Sequence, residues 1–272
     1  MSIPILLEDR SVIAVSGPEA RGFLQGLITN DIEKVSSARA IYAALLTPQG
    51  KILFDFIVTE GDGALLIDCR MDARDSLVKR LGVYRLRAKI EIEARDQLRV
   101  FADLHGAAAA RGITFVDPRL PALGHRTIGA FAEMPPAGAR SSAYRELRLS
   151  LGVPEGPDFG SDRMFALDAG LEELNAISFE KGCYVGQELT ARMKHRGVAR
   201  KRLLPIRTTG CAQLPAAGAP VTAGGQTLGE IASTYGEMGF ALVRLDRLEE
   251  GRAPIFADTT PVTIDRPHWL FS

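Results

Sequence analysis

The chain has 272 residues, 46% of them hydrophobic, enough to bury a sizeable core in one large or two modest domains. Its 33 basic side chains balance 33 acidic ones, so no global field draws it to nucleic acid or a membrane surface, and neither is an expected partner. Three widely spaced cysteines argue against a disulfide framework, Glu8, Asp9 and Arg10 interrupt any signal-type apolar start, and no run approaches the ~20 apolar residues of a spanning helix, so the expected compartment is the cytoplasm.

SVIAV (11–15) is a β-branched strand, and Ser16-Gly17-Pro18 then opens a helix whose apolar face is Phe23, Leu24, Leu27 and Ile28. AIYAALL and KILFDFIV flank Thr47-Pro48-Gln49-Gly50 as a β-hairpin, and ALLIDC is a third strand. Asp72 is placed to cap a helix running through Leu77, Val78 and Leu81, and KIEIEA alternates as a half-buried strand. QLRVFADL, GITFV and HRTIGAF read as further strands. After the Met134–Ala139 break and the tetra-alanine at 107–110, SSAYRELRLSLG reads as a helix that opens a second mixed unit. From Arg202 onward, short β-like runs separated by glycine and proline predict a small terminal barrel or sandwich without a helix. The class is α+β.

Several common machines are missing from the sequence: there is no P-loop, dinucleotide fingerprint, nucleophile elbow, HExxH or CxxC pair. His105, His125, His195 and His268 lie too far apart in sequence to suggest a metal site. The stretch FEKGCYVGQELTARMKHRG (179–197) is different, since glycines and polar groups crowd around one cysteine. Cys183 precedes a helix expected from Gln187 to Arg196, and the start of that helix and Lys181 both favour a thiolate, making the thiol nucleophilic or metal-ligating. The plainer reading of Cys183 is a small buried hydrophobe. That reading is preferred for Cys69, at the end of an apolar strand, and for Cys211, in a loop. Three cysteines cannot supply the four thiolates that usually hold an iron–sulfur cluster, so any cluster here is shared or transient. Glu188 and Arg192 have the spacing of a helical ion pair. Arg192, Lys194, Arg196, Arg200, Lys201 and Arg202 read equally well as a solvated face or as a holder of ligand carboxylates, phosphates or an acidic partner.

KGCYVGQELTARMKHRG resembles the signature of the YgfZ-type folate-binding proteins, whose mitochondrial relatives act late in iron–sulfur cluster assembly. VSGPEARGFLQGLITND, LLTPQGKILFDFIV, YRELRLSLGVPEG, TLGEIAST and GFALVRLD extend the likeness over nearly the whole chain. That family is similar in fold to the T-protein of the glycine cleavage system, an aminomethyltransferase using tetrahydrofolate. The resemblance therefore implies a three-subdomain fold: two interlocked α+β units over residues 1–200, which bind folate, and a β-barrel over 201–272. Where the T-protein has adjacent aspartates, this chain has Phe54 and Asp55; where it has a pterin-binding glutamate, this chain has Ser150, beside Arg148. A serine hydroxyl cannot replace a carboxylate that accepts two N–H bonds at once. The implied function is a folate-binding accessory factor for assembly or repair of iron–sulfur clusters in client enzymes, tRNA-modifying ones included, with an A-type cluster carrier or the clients as partners. Cys183 and Lys181 are the implied reactive pair, with Cys183 the shared cluster ligand, and Asp55, Arg148, Tyr184, Gln187, Glu188 and Arg192 the implied folate or loop contacts. The alternatives are a tetrahydrofolate-dependent aminomethyl or one-carbon transferase working through Asp55, and a protein-interaction module in which folate is incidental.

Overall fold

The structure is a computed structural model describing residues 4–104, 112–130, 141–195, 200–210, 212–250 and 253–271. The sequence readings at His105, 107–110, 134–139, Arg196 and Cys211 lie outside the described residues. In chain order, β1 (Ile5–Leu6) and β2 (Arg10–Ser16) precede α1 (Ala20–Gln25), and β3 (Ile41–Leu46), β4 (Ile52–Gly61) and β5 (Ala64–Arg70) lead into α2 (Arg74–Arg85). Then come β6 (Glu91–Ala94), β7 (Leu98–Asp103), β8 (Ile113–Val116), β9 (His125–Ala130), α3 (Ser141–Ser150) and α4 (Gln187–His195). The last stretch holds β10 (Lys201–Thr208), β11 (Pro220–Ala223), β12 (Gln226–Tyr235), β13 (Met238–Arg244), α5 (Leu245–Glu250), β14 (Ile255–Ala257), β15 (Thr260–Ile264) and α6 (His268–Phe271). These elements form two compact units that interleave along the sequence, one of residues 1–46, 54–147 and 174–185, the other of 47–53, 148–173 and 186–272.

The first unit contains a five-stranded sheet in the order β3-β4-β5-β2-β6 and a four-stranded sheet in the order β1-β7-β9-β8. β2 is buried from Arg10 to Val15, as expected of a β-branched strand in a sheet interior, and α2 packs on β2 and β6. Ile13, Val15, Leu24, Ile28, Leu45, Phe56, Val58, Ile67, Leu77 and Leu81 form its apolar core. The helix of this core does not start as the sequence suggests. No side chain caps α2, which begins after Ala73, because both carboxylate oxygens of Asp72 accept from Arg70, at 3.0 and 2.9 Å.

Charge is also buried in this unit. Asp68 accepts from Arg10 Nε and Arg126 Nη1, both at 2.6 Å, and Asp117 accepts from Arg119 Nη2 and Arg126 Nε, both at 2.8 Å. Arg119 and Arg126 also donate to the Tyr144 hydroxyl. Burial alone pushes the Asp117 carboxyl up, but the two guanidinium groups outweigh it and hold the carboxyl well below the usual carboxylate range. Removing one partner from such a network strands the other charge, at a cost of about 3–5 kcal/mol.

In the second unit, β10-β13-β12-β11-β14-β15 close into a six-stranded barrel, with β10 paired to both β13 and β15. Leu204, Ile206, Val221, Ile231, Val243 and Val262 fill its interior, and register shifts at Val221/Thr222 and Ile231/Ser233 give β11 and β12 the extra bend that closure requires. The expected C-terminal barrel is present. The expected lack of a helix there is corrected by α5, whose six residues are too few to show a helical period in the sequence. At the tip before β4, Thr47 N donates to Lys51 O and Gly50 N to Thr47 O, both at 2.8 Å, with Gly50 at φ 77°, a conformation glycine adopts without Cβ strain.

Candidate functional site

The segment holding Cys183 is fastened to the first unit by two residues of the early LITND stretch. Thr29 Oγ1 donates to Ala176 O at 2.6 Å while accepting from Ala44 N at 2.9 Å, and Ser178 N donates to Thr29 O at 3.0 Å. Asn30 Nδ2 bridges Tyr42 O at 2.8 Å and Asn175 O at 2.7 Å. Apart from the carbonyl of exposed Asn175, these donors and acceptors belong to buried residues and would otherwise go unsatisfied, so hydrogen bonds to the backbone hold the segment.

Lys181 completes the attachment. Its ammonium has three donors, and the structure supplies three carbonyls: Gln25 O at 2.6 Å, Ile28 O at 2.7 Å and Asn30 O at 3.0 Å. These carbonyls lie at the end of α1 and just beyond it, where helical partners run out and a cation is favoured. The Tyr184 ring centre is 5.2 Å from Nζ. Burial lowers the ammonium pKa to about 8, with Asp31 pulling the other way. The sequence assigns Lys181 to the electrostatics of the thiol; in the structure its charge is engaged by the backbone, and it acts as the anchor of the loop. Tyr184 is likewise buried, and Val185 packs against the core.

Between these anchors Cys183 is exposed, whereas Cys69, in β5, is buried. Burial pushes the Cys69 thiol up to about 12. The two cysteines thus have opposite surroundings, and the thiol open to partners is Cys183. Among the described residues no group of three or more His, Cys, Asp or Glu side chains is arranged to hold a metal ion.

Asp55 also lies in the first unit. It is buried in β4 and accepts from the Tyr42 hydroxyl at 3.0 Å, and the Arg119 guanidinium carbon lies 5.7 Å from the Tyr42 ring centre. Phe54, the adjacent residue, packs partly buried against the core, as period-two alternation requires.

The remaining expected residues belong to the second unit. Arg148 is buried, donating from Nη1 to Val153 O and Asp158 Oδ2, both at 2.7 Å, with Glu155 3.2 Å from Nε and the rings of Tyr235 and Phe240 at 5.7 and 6.0 Å. Expected beside a folate, it holds together a buried cluster of its own chain. Gln187 is half-buried at the start of α4, and Glu188 and Arg192 are exposed and pair with each other at 2.8 Å. Lys194 pairs with Glu172, and Arg202 with Glu173 at 2.7 Å, so these members of the basic run have carboxylate partners in their own unit. The sequence reading passed over Thr29 and Asn30, although they stand in the quoted VSGPEARGFLQGLITND, because nothing local shows what their side chains bond. It also passed over Asp168, which burial pushes up to about 6 against the opposing charges of Arg202 and Lys201.

Residues 200–272 match the family described as the CAF17 C-terminal beta-barrel domain. The mitochondrial iron–sulfur cluster assembly factor IBA57 of Homo sapiens is 36% identical over 89% of this chain and 78% of its own length. This chain belongs to the IBA57 family. The Mus musculus member, also named as mitochondrial, is 34% identical over 97% of this chain and 84% of its own length. The family expected from the Cys183 stretch is thereby supported through its mitochondrial iron–sulfur branch. The fold of this IBA57-family chain is that of the T-protein: the glycine cleavage system aminomethyltransferase T from Bartonella henselae superimposes with a TM-score of 0.74 at 15% identity, covering 98% of this chain and 85% of that one. No helix among the described residues is long and apolar enough to cross a membrane.

Proposed function

We propose that this chain takes part in the assembly or repair of iron–sulfur clusters, with Cys183 as the thiolate that contacts the cluster in transit. The observation that carries this reading is the exposure of Cys183 on a segment fastened by Thr29, Asn30 and Lys181, in a chain whose relatives carry the name of iron–sulfur assembly factors. One thiolate cannot hold a cluster, so the other ligands come from the partner, an A-type carrier or a client enzyme, tRNA-modifying enzymes among the clients. On binding, the Cys183 thiol gives its proton to solvent and its sulfur to an iron of the delivered cluster. The thiols at Cys69 and Cys183, neither in a disulfide, suit a reducing compartment, the cytoplasm or the mitochondrial setting named for the relatives.

Folate is the second part of the proposal. A buried carboxylate, Asp55, beside the Tyr42 hydroxyl has the acceptor chemistry that the N–H edge of a pterin requires, so these residues fit the group and would orient it. With Ser150 exposed and Arg148 engaged by Glu155 and Asp158, Asp55 is the expected residue on which folate affinity depends most.

The test mixes the anaerobically purified protein with a cluster-loaded A-type carrier and a client apoenzyme, and follows visible absorbance and client activity. Cys183→Ser should abolish transfer while Cys69→Ser preserves it. Transfer undiminished in Cys183→Ser would remove the thiol from the account. Tetrahydrofolate at a hundredfold excess over Kd should stabilise the protein by about 2.7 kcal/mol, and Asp55→Asn should erase that gain.

A further inference from the structure

α2 ends in a cleft that no part of the proposed function uses. Gly82, Val83 and residues 85–89 line it, and it is a shallow depression of about 590 Å³ that opens broadly to solvent. Two apolar side chains stand bare there, Val83 at 61% exposure and Leu86 at 89%. Leu86 is held at φ 45° and ψ −107°, a backbone state that costs a non-glycine residue about 1–3 kcal/mol. A leucine both strained and solvated contributes nothing to the fold at that position.

The charged side chains that line it are all basic. Arg85, Arg87 and Lys89 are exposed, and among the described residues none has an ion pair or a side-chain hydrogen bond. The same holds for Lys79, one helical turn before Val83 on the same face. Other cations of α2 and just before it are engaged: Arg74 pairs with Asp75 and Asp96, Arg70 with Asp9 and Asp72, and the Arg80 guanidinium lies over the Tyr84 ring at 5.4 Å. The nearby acids are Glu19, which accepts from Lys89 N at 2.7 Å, and exposed Glu91. Four unmatched cations around two bare apolar groups give a positive potential that complements an acidic partner.

We propose that this cleft docks an acidic protein segment that inserts one bulky apolar side chain against Val83 and Leu86 while its carboxylates meet Arg85, Arg87 and Lys89. The apolar lining favours a protein over a lipid surface: two aliphatic side chains with no aromatic among the lining residues are little to bury in a bilayer, whereas one bulky side chain of a protein segment covers them.

The probe is a fluorescein-labelled glutamate-rich peptide with one leucine in each helical turn, titrated by anisotropy at low and physiological salt. It should bind the native protein, and the same peptide with alanine for leucine should bind about fivefold more weakly. Arg85→Glu with Arg87→Glu should weaken binding at least about tenfold, and added salt should weaken it further. Leu86→Gly should also lose binding while melting no lower than the parent, because glycine accepts that backbone state. Absence of binding, or equal affinity in these variants, overturns the proposal. Flotation with phosphatidylserine vesicles in place of peptide binding assigns the cleft to a membrane and overturns it. A dimer in sedimentation that the charge reversal dissolves assigns it to a second copy of the chain and overturns it too.

Discussion

The stretch from Phe179 to His195 is continuous in sequence, yet its two halves treat positive charge in opposite ways. Before Val185, Lys181 is buried and bonded to three carbonyls; after Gly186, Arg192 and Lys194 stand in solvent, each beside one carboxylate. The first arrangement excludes water and fixes a backbone, the second is screened and exchangeable. Polar density in a sequence therefore marks two things here, an anchor and a solvated helix face.

The largest break in that contrast should come from Lys181→Met. Methionine fills similar volume but leaves three carbonyls without their donor, and urea unfolding should show a loss of about 3 kcal/mol. The same residue gives a pH signature. With the native ammonium lowered to about 8 from 10.5, the unfolded state holds the proton across that window and the native state does not. The lowered pKa therefore makes the protein gain stability as the pH rises from about 8 to 10.5 and lose that gain as the pH falls back through 8. Stability profiles of the parent and Lys181→Met should converge in slope outside this window and differ in slope within it.

Asn30→Ala comes next, at about 2 kcal/mol, since it removes both the Tyr42 and the Asn175 bonds from one buried side chain. Calorimetry reads it directly. Cys69→Ser places a hydroxyl in an apolar strand and should cost about 1–2 kcal/mol, while Cys183→Ser should stay within about 0.5 kcal/mol. Equal costs for the two serines would erase the difference in surroundings on which the site rests. The smallest effect belongs to the solvated half: Arg192→Ala should change stability by about 0.3–0.5 kcal/mol, and by less in high salt, as thermal melts across a salt series would show.

Much of this architecture was legible because its causes are local. The hairpin around Gly50, the start of α4 at Gln187 and the barrel strands all follow from turn residues and short-range alternation. Where another side chain claims the same group, sequence reading fails. Asp72 is a reasonable cap until Arg70 takes its carboxylate, and Arg148 is a reasonable folate contact until Glu155 and Asp158 close on it. The network of Arg10, Asp68 and Arg126 links residues 58 positions apart on either side of Asp68, a pairing no window of sequence shows. Glycines and polar groups single out the Cys183 stretch in the sequence, whereas the carbonyls that claim Lys181 come from more than 150 residues earlier.

The closed barrel has a consequence for how another molecule can approach the second unit. Every one of its six strands has a neighbour on both sides, so the barrel presents no row of unpaired amides for an incoming chain to extend. Recognition on that surface must run through side chains and loops, and two barrels meeting at high concentration have no strand to share. In the five-stranded sheet of the first unit, residues 28–30 cover the β3 edge, but β6 is an edge strand, and it sets the exposed carboxylates of Glu91 and Glu93 along its rim, where they repel a like strand before pairing can begin.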